Sequence, residues 1–292
     1  MALQFEPISL EQQDLYRERL KQSNWEASDY SFVNLWGWRK AYGLEWAWDD
    51  DLVWIRQAAP KAALWAPVGP WDQIDWPGRI ARHFTGSTIF IRVPEPLIYC
   101  WRAAMGGRVA ATAVEDQWDY LYSVPDLVEL KGNRFHKKKN LLNQFRKKYD
   151  FAYLPLTPDM VEGALGMQED WCVWRDCESD DTLASENYAI ARVLANWESL
   201  ADVSGGAILV DGEMAAFTVA EQMNEETVLI HFEKGLTAYK GIYQAINQMF
   251  LAENHHFRWV NREQDMGDEG LRRAKRSYHP VEFVRKYRVT LT

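Results

Sequence analysis

Cysteine is scarce in this chain. Cys100, Cys172 and Cys177 are the only three, an odd number with no Cys-x-x-Cys pair. Neither a disulfide framework nor a thiolate zinc site is expected, and the usage fits a reducing cytoplasm. Long apolar runs are missing as well. No stretch of eighteen apolar residues occurs, so no helical membrane span is expected. The opening segment from Met1 to Pro7 lacks the basic and apolar regions of a signal peptide. There is no Gly-x-Ser-x-Gly, no Gly-x-x-x-x-Gly-Lys-Ser/Thr and no His-Glu-x-x-His. Those absences remove the serine-hydrolase, P-loop and zincin readings. Low-complexity tracts and short-period repeats are absent too.

What is present is an ordinary globular composition, 47% hydrophobic over 292 residues. That length favours two domains. The net charge of −9 argues against a surface given over wholly to DNA, RNA or anionic lipid. The charge is uneven, however, because Leu130 to Lys148 holds many bases and no acid. Tryptophan is abundant at 15, most of it before residue 120. A core built from large aromatics explains this; an aromatic pocket for a planar or acyl ligand is the functional alternative.

Helical and strand patterns alternate, which indicates an α/β or α+β class. Helices are expected over Leu10–Gln22 (with Ser9 as cap), Ser31–Arg39, Trp71–Phe84, Asp159–Trp174, Asn187–Leu200, Tyr239–Asn254 and Glu269–Tyr278. Two hairpins are expected. One turns at Asp49-Asp50-Asp51, and the other at Asp211-Gly212, a dipeptide that favours a tight reversal between β-prone runs. Further strands are expected at Thr88–Val93, Asp119–Tyr122, Phe151–Leu154, Thr227–Phe232, Phe257–Val260 and Val281–Leu291. A boundary near residue 150 gives domains 1–150 and 151–292, the first ending in a basic helix.

Three segments carry candidate chemistry. In the basic helix, Phe135, Leu142, Phe145 and Tyr149 recur at helical spacing, so one face packs inward while Arg134, Lys138 and the other bases fill the rest. Like charges three and four residues apart repel by a few tenths of a kcal/mol per pair. A helix that accepts this faces either an anion or acids elsewhere in the chain. The second segment runs from Asn261 to Pro280, after a strand and into a helix, where open α/β sheets place ligands. It offers Glu263, Asp265 and Asp268 as acids, Asp268 or Glu269 suiting the helix dipole. Arg272, Lys275 and Tyr278 follow one turn apart. A calcium-loop reading fails there, because the sixth position is Met266 and the twelfth is Arg272; no metal is expected. The third segment, His231 to Tyr243, ends a strand and begins a helix near Lys240, where free N–H groups favour phosphate. His231 and Glu233 alternate along the strand and share a side. A hydrogen-bonded core histidine is the preferred reading of His231.

The runs Leu130–Asn140, Glu233-Lys234-Gly235 ahead of Tyr239–Gln244, Asn261–Pro280 and Phe32–Arg39 together resemble the phosphatidylglycerol lysyltransferase C-terminal domain family. The resemblance covers about residue 25 onward. It implies an α+β fold of tandem GNAT-like domains, each a mixed, mostly antiparallel sheet flanked by helices, related to Fem peptidyltransferases. Those relatives move an aminoacyl group from charged tRNA to an amine or hydroxyl. By this resemblance the chain is an acyl- or aminoacyl-transferase. Acyl-CoA or aminoacyl-tRNA is the donor, and no cofactor is permanently bound. The transfer needs a base, expected at Glu233, Asp265 or Glu263, and donors for the oxyanion. Arg134, Lys138, His231, Lys240, Tyr243, Asn261, Asp268, Arg272, Lys275 and Tyr278 are the expected substrate-binding set. The multi-span membrane domain of true lysyltransferases is missing from this sequence, which counts against lipid lysylation. Two alternatives stay open: a non-catalytic RNA- or nucleotide-binding module on the same scaffold, and a protein docking peripherally on lipid heads. DNA is not an expected partner, and oligomeric state is not legible.

Overall fold

The computed structural model describes residues 3–23 and 27–292. Met1 and Ala2 of the opening segment, and Trp25 where the resemblance begins, lie outside them. The chain forms two compact units. One holds Met1–Asp119, Gln264–Gly267 and Phe283–Thr292; the other holds Tyr120–Glu263 and Asp268–Glu282.

From its start the chain forms β1 (Glu6–Pro7), α1 (Gln13–Lys21), α2 (Phe32–Tyr42), β2 (Glu45–Asp49), β3 (Leu52–Gln57) and β4 (Ala63–Trp65). There follow α3 (Trp76–His83), β5 (Thr88–Pro94), α4 (Glu95–Met105) and β6 (Val109–Ala113). Next come β7 (Asp119–Ser123), α5 (Val124–Glu129), α6 (His136–Lys148), β8 (Phe151–Pro155), α7 (Val161–Arg175) and α8 (Asp181–Leu194). Then come β9 (Val203–Val210), β10 (Glu213–Gln222), β11 (Thr227–Gly235), α9 (Ile242–Glu253), β12 (Trp259–Asn261), α10 (Glu269–Arg276), β13 (Glu282–Val284) and β14 (Lys286–Leu291).

The strands build two seven-stranded sheets with the same plan. The first is ordered β1-β2-β3-β4-β5-β14-β6, and the second, read in the same sense, β8-β9-β10-β11-β12-β7-β13. In each, four strands run antiparallel, one parallel step follows (β4 to β5, β11 to β12), and the next strand is antiparallel again. That repeated plan, flanked by helices, is a tandem GNAT-like α+β fold. The antiparallel strand beside each parallel step comes from a distant part of the chain. The first sheet takes β14, and the second takes β7.

Local chemistry explains the elements. Asp211 and Gly212 hold φ of 53° and 88°, the left-handed pair that a tight hairpin turn needs, and join β9 to β10. Side chains of Ser31, Ser123, Asp180 and Asp268 accept backbone N–H bonds at the starts of α2, α5, α8 and α10. Ser9 caps nothing. In the first unit Trp46, Trp54, Trp65, Trp71, Trp76 and Trp101 are buried, so the tryptophan-rich half is chiefly core. In the second unit Phe135, Leu142 and Phe145 are buried, and α6 packs on α9.

That packing sets α6 inside the second unit, so the expected boundary near 150 falls within this unit; the division lies at Asp119/Tyr120. Several element bounds also differ. The strand holding His231 runs on through Glu233 to Gly235, where a loop was expected. The Asp180 cap starts α8 at Asp181, ahead of the expected Asn187. The long terminal strand is two strands, β13 and β14. Cys172 and Cys177 are joined as a disulfide across the end of α7, although no disulfide framework was expected. Their close spacing reads as no known motif, and only the helix end that turns the chain back brings them together. Among the described residues no helix is long and apolar enough to cross a membrane.

Candidate functional site

The second unit opens at the parallel step of its sheet. Strands β11 and β12 pair over Thr227–Leu229 and Trp259–Asn261, and β11 then runs past β12 to Gly235. Past the last β11–β12 pair, where β11 stays paired only with β10 as far as Gly235, polar side chains from β11, α9, α6 and the segment after β12 gather.

Glu233 is the centre of this group. One carboxylate oxygen accepts from Arg262 Nη2 at 2.9 Å, and the other accepts from Asn247 Nδ2 on α9 at 2.9 Å. The Arg262 guanidinium lies 4.9 Å from the Tyr278 ring centroid and 5.8 Å from that of Tyr122. Gln244 Nε2 donates to the Tyr278 hydroxyl at 3.1 Å. Lys138 of α6 places its ammonium 4.0 Å from the same Tyr278 ring. Desolvation, with the nearby Arg262 charge, brings the Lys138 pKa down to about 8. Burial pushes Tyr278 and Tyr122 up, so both phenols keep their protons at neutral pH.

One step back along β11, His231 is enclosed by two acids. Its Nδ1 is 3.1 Å from Glu263 Oε1, and its Nε2 is 3.4 Å from Glu221 Oε1 on the neighbouring β10. Burial alone would disfavour the imidazolium; the Glu221 and Glu263 carboxylates outweigh it and raise the pKa to about 9. Glu263 is held by a local device. Asn261 Oδ1 accepts from the Glu263 backbone N–H at 2.8 Å, and Glu263 has φ of 56°. Lys275 Nζ donates to the carbonyls of Arg262 and Glu263 at 2.6 and 3.0 Å, fixing this turn from α10. Lys234, the residue after Glu233 on β11, points to the opposite side, where it bonds Glu186 at 2.6 Å and sits 3.9 Å from the Trp171 ring centroid. Trp171 Nε1 donates at 3.1 Å to the hydroxyl of Tyr243, which feels the charges of both Glu233 and Glu186.

The structure thus brings together Glu233, Lys138, Tyr278, His231, Glu263, Asn261, Lys275 and Tyr243. Tyr278 lies beyond the end of α10 and is buried, so it does not continue a helix face with Arg272 and Lys275. Arg272 is half-exposed on α10. Asp268 caps that helix through Leu271 N–H at 2.6 Å. Arg134 pairs with Asp126 at 2.8 Å. Lys240 is exposed, and its backbone N–H donates to the Tyr149 hydroxyl at 3.1 Å. Asp265 belongs to the first unit, where it is buried and accepts the Gly267 N–H at 2.9 Å. Sequence reasoning passed over Arg262, Glu221, Asn247, Gln244 and Tyr122. Arg262 had a signal, being the first residue past a strand at the carboxyl end of a sheet.

The first unit has an arginine at the equivalent place. Its parallel pair ends at Trp65 and Ile91, and Arg92 follows, paired with Asp29 and set against the rings of Trp65 and Tyr42. There the arrangement is closed. Lys286 also pairs with Asp29 and with Asp119, and the side chains of Lys286, Asp29 and Asp119 are 0%, 1% and 0% exposed. Arg262 and Glu233 keep 14% and 9%. Of the two arginine sites, the second unit's is the less enclosed one.

Comparisons with known proteins agree with this architecture. A family model described as "Phosphatidylglycerol lysyltransferase, C-terminal" matches residues 20–290. A conserved protein of unknown function from Bacteroides thetaiotaomicron VPI-5482 has a crystal structure that superimposes with a TM-score of 0.87 at 31% identity, covering 99% of this chain and 100% of that one. L-PGS from Bacillus licheniformis shares the fold at a TM-score of 0.61 and 12% identity, over 98% of this chain and 92% of that one. FemX shares it at 0.58 and 8%, over 98% and 97%. An uncharacterised protein of Mycoplasmoides gallisepticum (strain R(low / passage 15 / clone 2)) is 25% identical over 180 residues, 60% of this chain. The match spans 56% of that relative, so the chain corresponds to little more than half its length.

Proposed function

Since the chain belongs to the phosphatidylglycerol lysyltransferase C-terminal family, we propose that it is an acyl- or aminoacyl-transferase whose second unit carries the reaction. The donor is an aminoacyl-tRNA or an acyl-CoA, and the acceptor an amine or hydroxyl. The observation that supports this is the Glu233 carboxylate, held by Arg262 and Asn247 at the open end of a parallel strand pair.

The chemistry follows from the groups at hand. The acceptor's nitrogen or oxygen attacks the acyl carbon, the carbonyl oxygen gains charge, and the acceptor loses a proton. Glu233 takes that proton. As the tetrahedral intermediate collapses, the bond from the acyl carbon to the donor's ribose oxygen or CoA sulfur breaks, and the leaving atom departs with the proton that Glu233 returns. Its two fixed hydrogen bonds set the carboxylate's direction before substrate arrives, which lowers the entropic cost of reaching a reactive geometry. Tyr243, whose oxygen is held by Trp171, keeps its own proton to donate to the oxyanion; burial raises its pKa and so preserves that proton. The imidazolium of His231 stays between Glu221 and Glu263 and orders the turn that presents Arg262. Its burial makes it a positioning residue.

The test uses labelled aminoacyl-tRNA pools and acyl-CoAs, with mixed amine and hydroxyl acceptors, and follows donor discharge. Wild type is expected to discharge one donor class above buffer rate, and Glu233→Gln to slow it by about 10²–10⁴-fold. If wild type discharges neither class, the proposal is wrong.

A second reading is supported by α6. Lys137, Lys139 and Lys147 are exposed, with no ion pair among the described residues. A non-catalytic RNA- or nucleotide-binding module would use them. Binding would then weaken steeply with salt, by a slope of roughly 0.7–0.9 per phosphate neutralised.

A further inference from the structure

Most bases of the α6 segment have a simple account. Arg134 meets Asp126, Arg146 Nη2 donates to Gln248 at 2.8 Å, and Lys137, Lys139 and Lys147 stand in water. Lys138 differs. It turns inward, is half-buried, and has no carboxylate partner among the described residues. A lysine can usually extend its charge to solvent. Here the ammonium is instead laid over the Tyr278 ring.

The other cation at this ring is Arg262. Its Nη2 is used by Glu233, while its Nη1 is buried and meets no acceptor in hydrogen-bond geometry, although the Tyr278 hydroxyl is close. Glu233 is the acid in contact with Arg262, and Arg262 and Asn247 already occupy both its oxygens. Two cations therefore share one carboxylate around Tyr278. Positive charge withdrawn from water without a counter-charge is costly. An unused buried guanidinium N–H adds to that cost. Both features are relieved by the same thing, an anionic group that accepts from Arg262 and neutralises Lys138.

We propose that Lys138, Arg262 and Tyr278 form a subsite for one small oxyanion, a carboxylate or phosphate borne by a substrate. Lys138 supplies a point charge, Arg262 a directed N–H, and Tyr278 a flat wall that excludes water. The proposal deepens the transferase reading, since the subsite adjoins Glu233; as an anion site it can be tested without any donor or acceptor.

The experiment is calorimetric titration of the full chain at low ionic strength with inorganic phosphate and, separately, acetate. Wild type is expected to bind one equivalent of at least one anion, saturably, at up to tens of millimolar. Acetate alone identifies a carboxylate subsite; phosphate alone, a phosphate subsite. Lys138→Gln is expected to weaken binding by about tenfold or more, the loss of one charge-assisted contact. Lys138→Arg is expected to retain it, and Lys137→Gln, on the exposed side of the same helix, to leave it unchanged. Lys138 lies on a helix surface, so its variants are expected to fold; circular dichroism identical to wild type checks this. Absence of saturable binding, or equal binding in Lys138→Gln, overturns the subsite. So does equal weakening in Lys137→Gln, which marks a diffuse basic surface. Anion binding with no donor discharge would uphold the subsite while rejecting the transferase, and the converse result would separate them the other way.

Discussion

At the scale of single residues, His231 sets a pH response in the neutral-to-alkaline range. Its folded pKa of about 9 lies above the ordinary value near 6.5, so the folded chain binds the proton more tightly. That stability is fully present below about pH 6.5, fades as pH rises, and is gone once pH passes about 9. Wild type should lose roughly 3 kcal/mol of its advantage over His231→Gln between about pH 6 and pH 10. Urea denaturation at a series of pH values measures it; parallel curves for the two proteins would contradict the imidazolium described here. Residue choice was only partly legible in advance. His231, Glu233 and Glu263 stand out because alternation along a strand and position past a strand's end are readable. Glu221 is not readable, because its approach to His231 depends on the pairing of β10 with β11 and on the register shift at Val219/Ala220.

At the scale of elements, the α6–α9 contact positions both Lys138 and Asn247. Gly241 makes it close. With φ of 89°, it begins α9, and a Cβ there would lie 2.3 Å from the Leu141 carbonyl oxygen of α6. Gly241→Ala should therefore cost about 1–3 kcal/mol through both backbone strain and displacement of α6. Gly212, with φ of 88° but open space around it, isolates the backbone part, so Gly212→Ala should cost about 1 kcal/mol. Chemical denaturation of the two variants gives the comparison, and equal losses would show that α6 yields freely. The same packing bears on the helix start near Lys240, where free N–H groups were expected to favour phosphate. The helix start is pressed against α6, a fact that glycine and lysine spacing cannot reveal.

At the scale of the whole molecule, the repeat of helices and strands was readable from periodicity, and the family resemblance supplied the tandem GNAT-like fold. The division of the chain was not. Periodicity reports local structure, whereas β7 and β14 find their sheets through pairings with strands far away in sequence. The importance of β14 can be tested by removing Arg285–Thr292. This takes out the strand between β5 and β6, together with Lys286, the counter-charge of Asp29 and Asp119. Loss of such a buried partner alone costs about 3–5 kcal/mol. The shortened chain should lose the near-ultraviolet circular dichroism of the tryptophan-rich first unit; retention of that signal would refute the role given to β14.

The interleaved strand order also bears on how the protein is made. A ribosome delivers residues in order, so β1 to β6 emerge early, yet the gap between β5 and β6 waits for β14. The earliest-synthesised unit is thus the later one to be completed. Its open edges must be kept from other chains for the time that translation of β7 to β13 requires.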